Sequence, residues 1–210
     1  MKVEVSVVIP AKNEANSLAP VLKSLWELGC VSEIIVVDDG SEDATGSVGR
    51  EQGATVVTHP YSKGNGAAIK TGARAAMGDI IVFMDADGQH DPQDVPRLLE
   101  QIGQGYDLVV GSRGAESQAS KGRAVANGFY NRLASFMTGH KVRDLTSGFR
   151  AVKREKFLEF LYLLPNGFSY PTTSTMAFFR AGYSVCYVPV TVHAREGKSH
   201  IKPLHDGIRF

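Results

Sequence analysis

Short runs of wholly apolar residues alternate along the chain with stretches whose apolar positions recur every three or four residues. Residues 3–9 are rich in β-branched side chains and stop at Pro10, which predicts a strand. Asn16 or Ser17 caps a helix reaching Leu28 and closed by Gly29, with Leu18, Val21, Leu22, Leu25 and Leu28 as its apolar stripe. Residues 34–37 are apolar throughout, as expected of a strand covered on both faces. Ser41 and Asp43 open a second helix, residues 55–58 form a third strand, and Asn65 or Gly66 begins a helix to Met77 that Gly78 stops. Residues 80–84 make a fourth strand, Asp91 and Pro92 start a helix to Ile102, and residues 108–110 make another strand. Helical spacing returns at 123–137, where Phe129, Leu133, Phe136 and Met137 share a side, and at 154–164 and 172–181. Residues 185–190 close the series as a strand. This alternation predicts an α/β fold, a mostly parallel central sheet flanked by helices.

Length and composition limit what such a sheet can be. With 210 residues, 43% of them hydrophobic, the chain can bury one sizeable core, and two full domains would be cramped. The small, polar segment 114–122 reads as a mobile loop inside one domain. The 23 basic and 22 acidic residues nearly cancel, which argues against a general nucleic-acid binder. Cys30 and Cys186 are far apart without metal-type spacing, and read as reduced, small apolar side chains of a cytosolic protein. No basic-then-apolar leader opens the sequence, and no apolar run approaches the roughly 18 residues that cross a bilayer. The reading is a soluble chain able to sit on a membrane surface.

In open α/β sheets, ligands gather beyond the carboxyl ends of the strands. The first apolar run leads into Pro10-Ala11-Lys12-Asn13-Glu14, the second into Asp38-Asp39-Gly40-Ser41, and the fourth into Asp85-Ala86-Asp87-Gly88-Gln89-His90. So many carboxylates on one edge repel unless a cation or hydrogen-bond donors offset them. Asp85 and Asp87 can face one site and hold Mg²⁺ or Mn²⁺ together with a diphosphate, with Gln89 adding a carbonyl oxygen. The plainer alternative makes Asp85 a turn cap and Asp87 a solvated loop acid; position after a buried strand and beside a second acidic strand end favours the metal. Asp38 and Asp39 either hydrogen-bond a base or ribose, or one of them caps the helix near Asp43. Glu14 either meets the nucleotide or favours its own helix N-terminus. Lys63-Gly64-Asn65-Gly66 suits a tight turn into a helix better than a phosphate cradle, because neither a P-loop ending nor a complete G-x-G-x-x-G follows. Of six histidines, only His90 adjoins the acids, and none cluster with zinc spacing. No Gly-x-Ser-x-Gly elbow supports a serine hydrolase. The stretch 123–137 either covers the sheet or rests on a membrane interface.

Six segments together resemble the family 2 glycosyltransferases, in the branch of dolichyl- and polyprenyl-phosphate sugar synthases: VSVVIPAKNEA, EIIVVDDGSEDAT, KGNGAAIKTGARAAMGDIIVFMDADGQHDP, VVGSR, RDLTSGFRAVKRE and, less closely, VHAREGKSHIKP. They occur in the family's order over almost the whole chain. The resemblance implies a GT-A fold in a single domain, its nucleotide-binding part about residues 1–113 and its acceptor-facing part about 114–210. It implies that Pro10, Ala11 and Glu14 line the nucleotide pocket, that Asp39 contacts the nucleoside, and that Asp85 and Ala86 lie against the donor. Asp87 and Gln89, with Asp85, would bind Mg²⁺ or Mn²⁺. Arg113 would approach the diphosphate or acceptor, and the stretch from Asp144 to Arg150 would face the reaction centre, with Arg150 either a phosphate anchor or a surface salt-bridge partner. Arg195 and Lys198 match a basic pair that closes over phosphates, although Lys202 can also supply that amine. Lys12 stands where many members have an aromatic residue, which leaves the base open. In many members the segment like 202–210 leads into membrane helices. The activity implied is inverting transfer of a sugar from GDP-mannose or a UDP-sugar to a polyprenyl or dolichyl phosphate, at the cytoplasmic membrane face. The alternatives are transfer to a hydroxyl acceptor, nucleotidyl transfer to a sugar 1-phosphate, and binding without catalysis.

Overall fold

A computed structural model describes residues 3–113 and 121–193, with the backbone alone for 121–127 and 129. The elements are β1 (Val5–Ala11), α1 (Ala15–Glu27), β2 (Glu33–Asp38), α2 (Thr45–Glu51), β3 (Thr55–Thr58), α3 (Asn65–Ala75), β4 (Ile80–Phe83), α4 (Val95–Gly103), β5 (Leu108–Arg113), α5 (Lys121–Thr138), β6 (Arg150–Lys153), α6 (Arg154–Leu158), α7 (Tyr170–Arg180) and β7 (Val185–Val190). Seven strands form one sheet in the order β3-β2-β1-β4-β6-β5-β7. Every pairing is parallel except those of β6, which runs antiparallel to both β4 and β5.

Successive strand residues point to opposite faces, so a strand covered on both sides is apolar at every position. Val7, Ile9, Ile34 and Val36 pack with Leu18, Leu22 and Leu25 of α1 and Leu98 of α4. Val8, Ile35 and Val37 pack on the other face with Ala68 and Ile69 of α3, Phe157 of α6 and Phe178 of α7. Cys30 and Cys186 are unpaired thiols at the margin of the first layer. No described helix is long and apolar enough to cross a membrane.

Several boundaries differ from expectation, each for a local reason. β1 continues through Pro10 to Ala11. Pairing with β4 ends at Val8 opposite Phe83, so the missing N–H of Pro10 removes no bond from that ladder. α1 starts two or three residues early, with Glu14 at its cap position in place of Asn16 or Ser17. The helix expected from Asp91 is a 3₁₀ turn (Pro92–Asp94) followed by α4, and Asp91 Oδ1 accepts a hydrogen bond from Gln93 N at 2.9 Å. Residues 154–164 hold only the short α6 before turning. β6 is an addition: four residues running directly into α6 are too few to show a period. α5 lies chiefly against α7, and its Ala134 belongs to a cluster with Met176 and Phe179 of α7 and Tyr187 of β7.

The Lys63–Gly66 turn resolves in favour of close packing. Gly66 N donates to Gly167 O at 3.1 Å and Ala67 N to Asn166 O at 3.2 Å, so the first donors of α3 are already engaged and the phosphate-cradle reading is corrected. A Cβ on Gly66 would run into Pro165 O and lie 2.8 Å from Gly167 O. We expect Gly66→Ala to lower unfolding stability by about 2 kcal/mol, since overpacked positions cost about 1–3 kcal/mol. Urea denaturation checks this; an unchanged midpoint would mean that the 165–167 loop is not held against α3.

Candidate active site

The carboxyl ends of β1, β2, β4 and β5 open on one edge, and the residues singled out from the sequence gather there. Pro10 and Ala11 are the last residues of β1, and Ala11 O accepts from Asp39 N at 2.9 Å. Asn13 has a left-handed backbone (φ 54°), a conformation that asparagine tolerates better than most residues. Its N–H donates to Ser41 Oγ at 3.0 Å and its side-chain oxygen accepts from Glu42 N at 2.8 Å, which joins the loops after β1 and β2. In the sequence, the signal for this turn is an asparagine just ahead of a helix. Glu14 accepts from Ser17 Oγ at 2.7 Å, and its own N–H reaches Thr45 Oγ1 at 2.9 Å.

Asp38 and Asp39 are buried and differ in what they hold. Asp38 Oδ1 accepts from Ser41 N at 2.9 Å and closes its own turn. Asp39 accepts from His59 Nδ1 (2.7 Å), Ser62 Oγ (2.8 Å), Lys63 N (2.8 Å) and Gly64 N (2.9 Å). Burial alone would raise its pKa; these donors, His59 foremost, hold it below the ordinary carboxylate value. Neither acid caps α2, which corrects that alternative: Asp43 Oδ1 accepts from Thr45 N there at 2.9 Å. His59 Nε2 lies 2.9 Å from Thr71 Oγ1, so a buried Asp39–His59–Thr71 chain ties the end of β2 to α3.

Beyond β4, Ala86 and Asp87 are buried while Asp85 and Gln89 are half-buried. Asp87 Oδ1 accepts from Gln89 N at 3.1 Å. Asp85 lies beside Gly148, where a Cβ would stand 3.1 Å from Asp85 Oδ2. His90 stacks on Phe149 with centroids 5.0 Å apart, and burial pushes its pKa down to about 4, so it is neutral at pH 7. His90 Nδ1 and Ser147 Oγ are buried atoms with no hydrogen-bond partner among the described residues. The chain leaving β7 runs along this loop: His90 bridges Val192, His193 N donates to Gln89 O at 2.8 Å, and Thr191 N to Asp94 Oδ2 at 2.9 Å. Arg195 and Lys198, which follow, lie outside the described residues, as does most of the 114–122 loop.

Arg113, at the end of β5, grips Asp144 in a two-point pair, Nε to Oδ2 at 2.9 Å and Nη2 to Oδ1 at 3.0 Å, and also reaches Thr146 Oγ1 at 2.6 Å. Its side chain keeps 30% exposure, so it can still meet a ligand. Arg150 cannot be a surface salt-bridge partner, because its exposure is zero. Its guanidinium donates to Ser147 O, Pro171 O (3.1 Å), Ser174 Oγ (2.8 Å) and Thr175 Oγ1 (3.3 Å), leaving no open face for a phosphate. The phosphate-anchor reading is corrected on the same ground.

A family model described as glycosyl transferase family 2 matches residues 6–161. The chain belongs to that family. It is therefore a glycosyltransferase, and the family's GT-A fold is the architecture described above. Among its relatives, a dolichyl-phosphate hexose transferase of Haloferax volcanii is 30% identical over 97% of this chain and 89% of its own length. A polyprenol monophosphomannose synthase of Mycolicibacterium smegmatis is 32% identical over 90% of this chain and 77% of its own. An undecaprenyl-phosphate 4-deoxy-4-formamido-L-arabinose transferase of Pseudomonas aeruginosa is 37% identical over 79% of this chain, but the match spans only 54% of that protein. Among solved structures, the glucosyl-3-phosphoglycerate synthase of Mycobacterium tuberculosis, crystallised with Mn²⁺, UDP and glucosyl-3-phosphoglycerate, superposes with a TM-score of 0.76. It shares 28% identity over 99% of this chain and 75% of its own.

The Arg113–Asp144 pair gives a test with a definite sign. Burial raises the pKa of Asp144, but the hydrogen bond and charge of Arg113 outweigh it, so the folded value lies below the ordinary one. Such a carboxylate stabilises the fold above its unfolded pKa of about 4, and the contribution fades as pH falls through the folded value. We expect Asp144→Asn to cost about 3 kcal/mol near pH 7, by leaving Arg113 without its counter-charge, and the gap from wild type to narrow toward about pH 3. Urea unfolding at both pH values measures it, and a gap independent of pH would refute the assignment.

Proposed function

We propose that the chain transfers a sugar from a nucleoside diphosphate donor to a polyprenyl-type lipid phosphate, with inversion at the anomeric carbon, using Mg²⁺ or Mn²⁺. The observation that carries this reading is that relatives covering nine tenths or more of the chain are named as lipid-phosphate sugar transferases. The acids expected to serve the donor also share one sheet edge.

The residues present fit such a cation. Among the described residues no three histidine, cysteine or acidic groups are close enough to cage a metal. The fit rests on Asp85 and Asp87, two carboxylates two residues apart just beyond β4, of the hard-oxygen kind that holds Mg²⁺ or Mn²⁺ together with a substrate's phosphates. Asp87, Asp85 and Gln89 would hold it, and when bound it would offset charge growing on the departing diphosphate. Pro10, Ala11, Glu14 and Asp39 would border the nucleoside. Asp39 does so chiefly through the 62–64 loop that it holds, because its oxygens already accept four hydrogen bonds. Asp144 orients Arg113, which would meet the phosphate of donor or acceptor. Arg150 acts beneath, by positioning Ser147 and its neighbours. Arg195 and Lys198 would close over the diphosphate.

A phosphate monoester acceptor has a second pKa of about 6, so it is largely ionised at neutral pH and attacks without a strong base. A hydroxyl acceptor is the second reading, favoured by the neighbour crystallised with phosphoglyceric acid. We expect Asp87→Ala to lower transfer by about 100-fold or more while thermal unfolding stays close to wild type. A radiolabelled transfer assay to polyprenyl phosphate, run beside 3-phosphoglycerate, reads both points. Full activity of the variant with added Mn²⁺ would remove Asp87 from the metal site.

α5 would seat the domain on the bilayer next to the acceptor. Phe136 is 87% exposed, and Leu133, Met137 and Tyr130 are also exposed on this helix. Burying one such side chain is worth about 2 kcal/mol, so the double variant Leu133→Ser with Phe136→Ser should bind vesicles at least about tenfold more weakly. Flotation with neutral phosphatidylcholine vesicles measures it, and equal flotation would leave α5 out of membrane contact.

A further inference from the structure

Behind the 62–64 loop that Asp39 holds, residues 61–63 and the outer flank of α3 border an open groove of about 500 Å³. Ala67, Lys70, Thr71 and Arg74 stand at helical spacing along one wall, and Tyr61, Lys63 and Asn166 border the others. Three cations thus line the groove, and no acidic residue does. None of the three takes part in a salt bridge among the described residues. Lys63 Nζ lies 5.7 Å from the ring centre of Tyr61, which is 67% exposed. Lys70 donates to Leu164 O at 2.9 Å and Asn166 Oδ1 at 2.6 Å, two of an ammonium's three hydrogens. Like charges four residues apart on a helix repel, and burial together with Arg74 depresses the pKa of Lys70.

We propose that this groove, which adjoins the nucleoside end of the donor site, binds a phosphate distinct from the donor's diphosphate at Asp85 and Asp87. A phosphate brings up to two negative charges and three strong acceptor oxygens, which suits one remaining lysine hydrogen, a second ammonium and a guanidinium fork. Bound there, it relieves the repulsion between Lys70 and Arg74. Lys70 and Arg74 lie more than one and two turns into α3, whose first N–H groups are closed by the 165–167 loop, so the groove is not an extension of a helix N-terminus. The phosphate comes either from a soluble ester or from an anionic lipid headgroup, and the test separates the two.

The full chain is titrated calorimetrically with inorganic phosphate while saturated with UDP or GDP and Mg²⁺, and sedimented with phosphatidylcholine vesicles with and without phosphatidylglycerol. The double variant Lys63→Gln with Arg74→Gln is run alongside; neither side chain makes a hydrogen bond to a protein acceptor among the described residues, so thermal unfolding should match wild type. We expect binding in the presence of nucleotide that weakens by at least about tenfold in the double variant. Binding of free phosphate identifies a soluble ligand, and binding of anionic vesicles alone identifies a headgroup. The proposal is overturned if neither probe binds while nucleotide is bound, or if the double variant binds as wild type does.

Discussion

A guanidinium sealed from water organises the acid edge. Arg150 is wholly buried, and moving such a charge out of solvent is tolerable only where its donors are satisfied and opposite charge lies near. Its partners are the carbonyls of Ser147 and Pro171 and the hydroxyls of Ser174 and Thr175, while Asp144 and Asp85 favour its charged form from a distance. One side chain thereby ties β6, the loop before it and the first turn of α7. The Tyr170 ring lies 5.8 Å from the guanidinium carbon, and its hydroxyl donates to Gly148 O at 3.3 Å, which fixes the glycine that adjoins Asp85.

That arrangement explains how so many carboxylates can share an edge. Asp38 is engaged by its own turn, Asp39 by four donors, and Asp144 by Arg113. Each is neutralised or saturated within the protein, and each braces a loop. Asp85 and Asp87 occupy the stretch between these braced loops, with Arg113 and Arg150 supplying positive charge behind them.

Much of this was legible in advance because burial on both faces leaves a plain mark in a sequence. The runs at 34–37 and 80–84 announced central strands, and the acids after them announced the edge. The roles of Asp39 and Arg150 were not legible. Asp39 is held by His59, which comes from the far end of β3, and no spacing along the chain reports that meeting. From the sequence Arg150 reads as either a phosphate anchor or a surface salt-bridge partner; its burial follows from Ser174 and Thr175, more than twenty residues on. β6 escaped because RAVK is too short for a period, and its partners β4 and β5 are distant in sequence.

The direction of β6 is the step that brings the two halves of the chain to one site. A strand parallel to β4 and β5 would place residues 144–149 at the opposite, amino edge. Because β6 runs antiparallel, its first residue, Arg150, stands opposite Phe83 and Val110, the residues from which β4 and β5 run on to Asp85 and Arg113. The segment before it therefore arrives beside both. Asp144 can then grip Arg113, and Gly148 can lie against Asp85, without any long excursion of the backbone. Gly148 tolerates this approach because it has no side chain, and Phe149 fills the space under His90. An antiparallel strand inserted in a parallel sheet thus delivers the segment before it to the same edge as the loops that follow β1, β2 and β4.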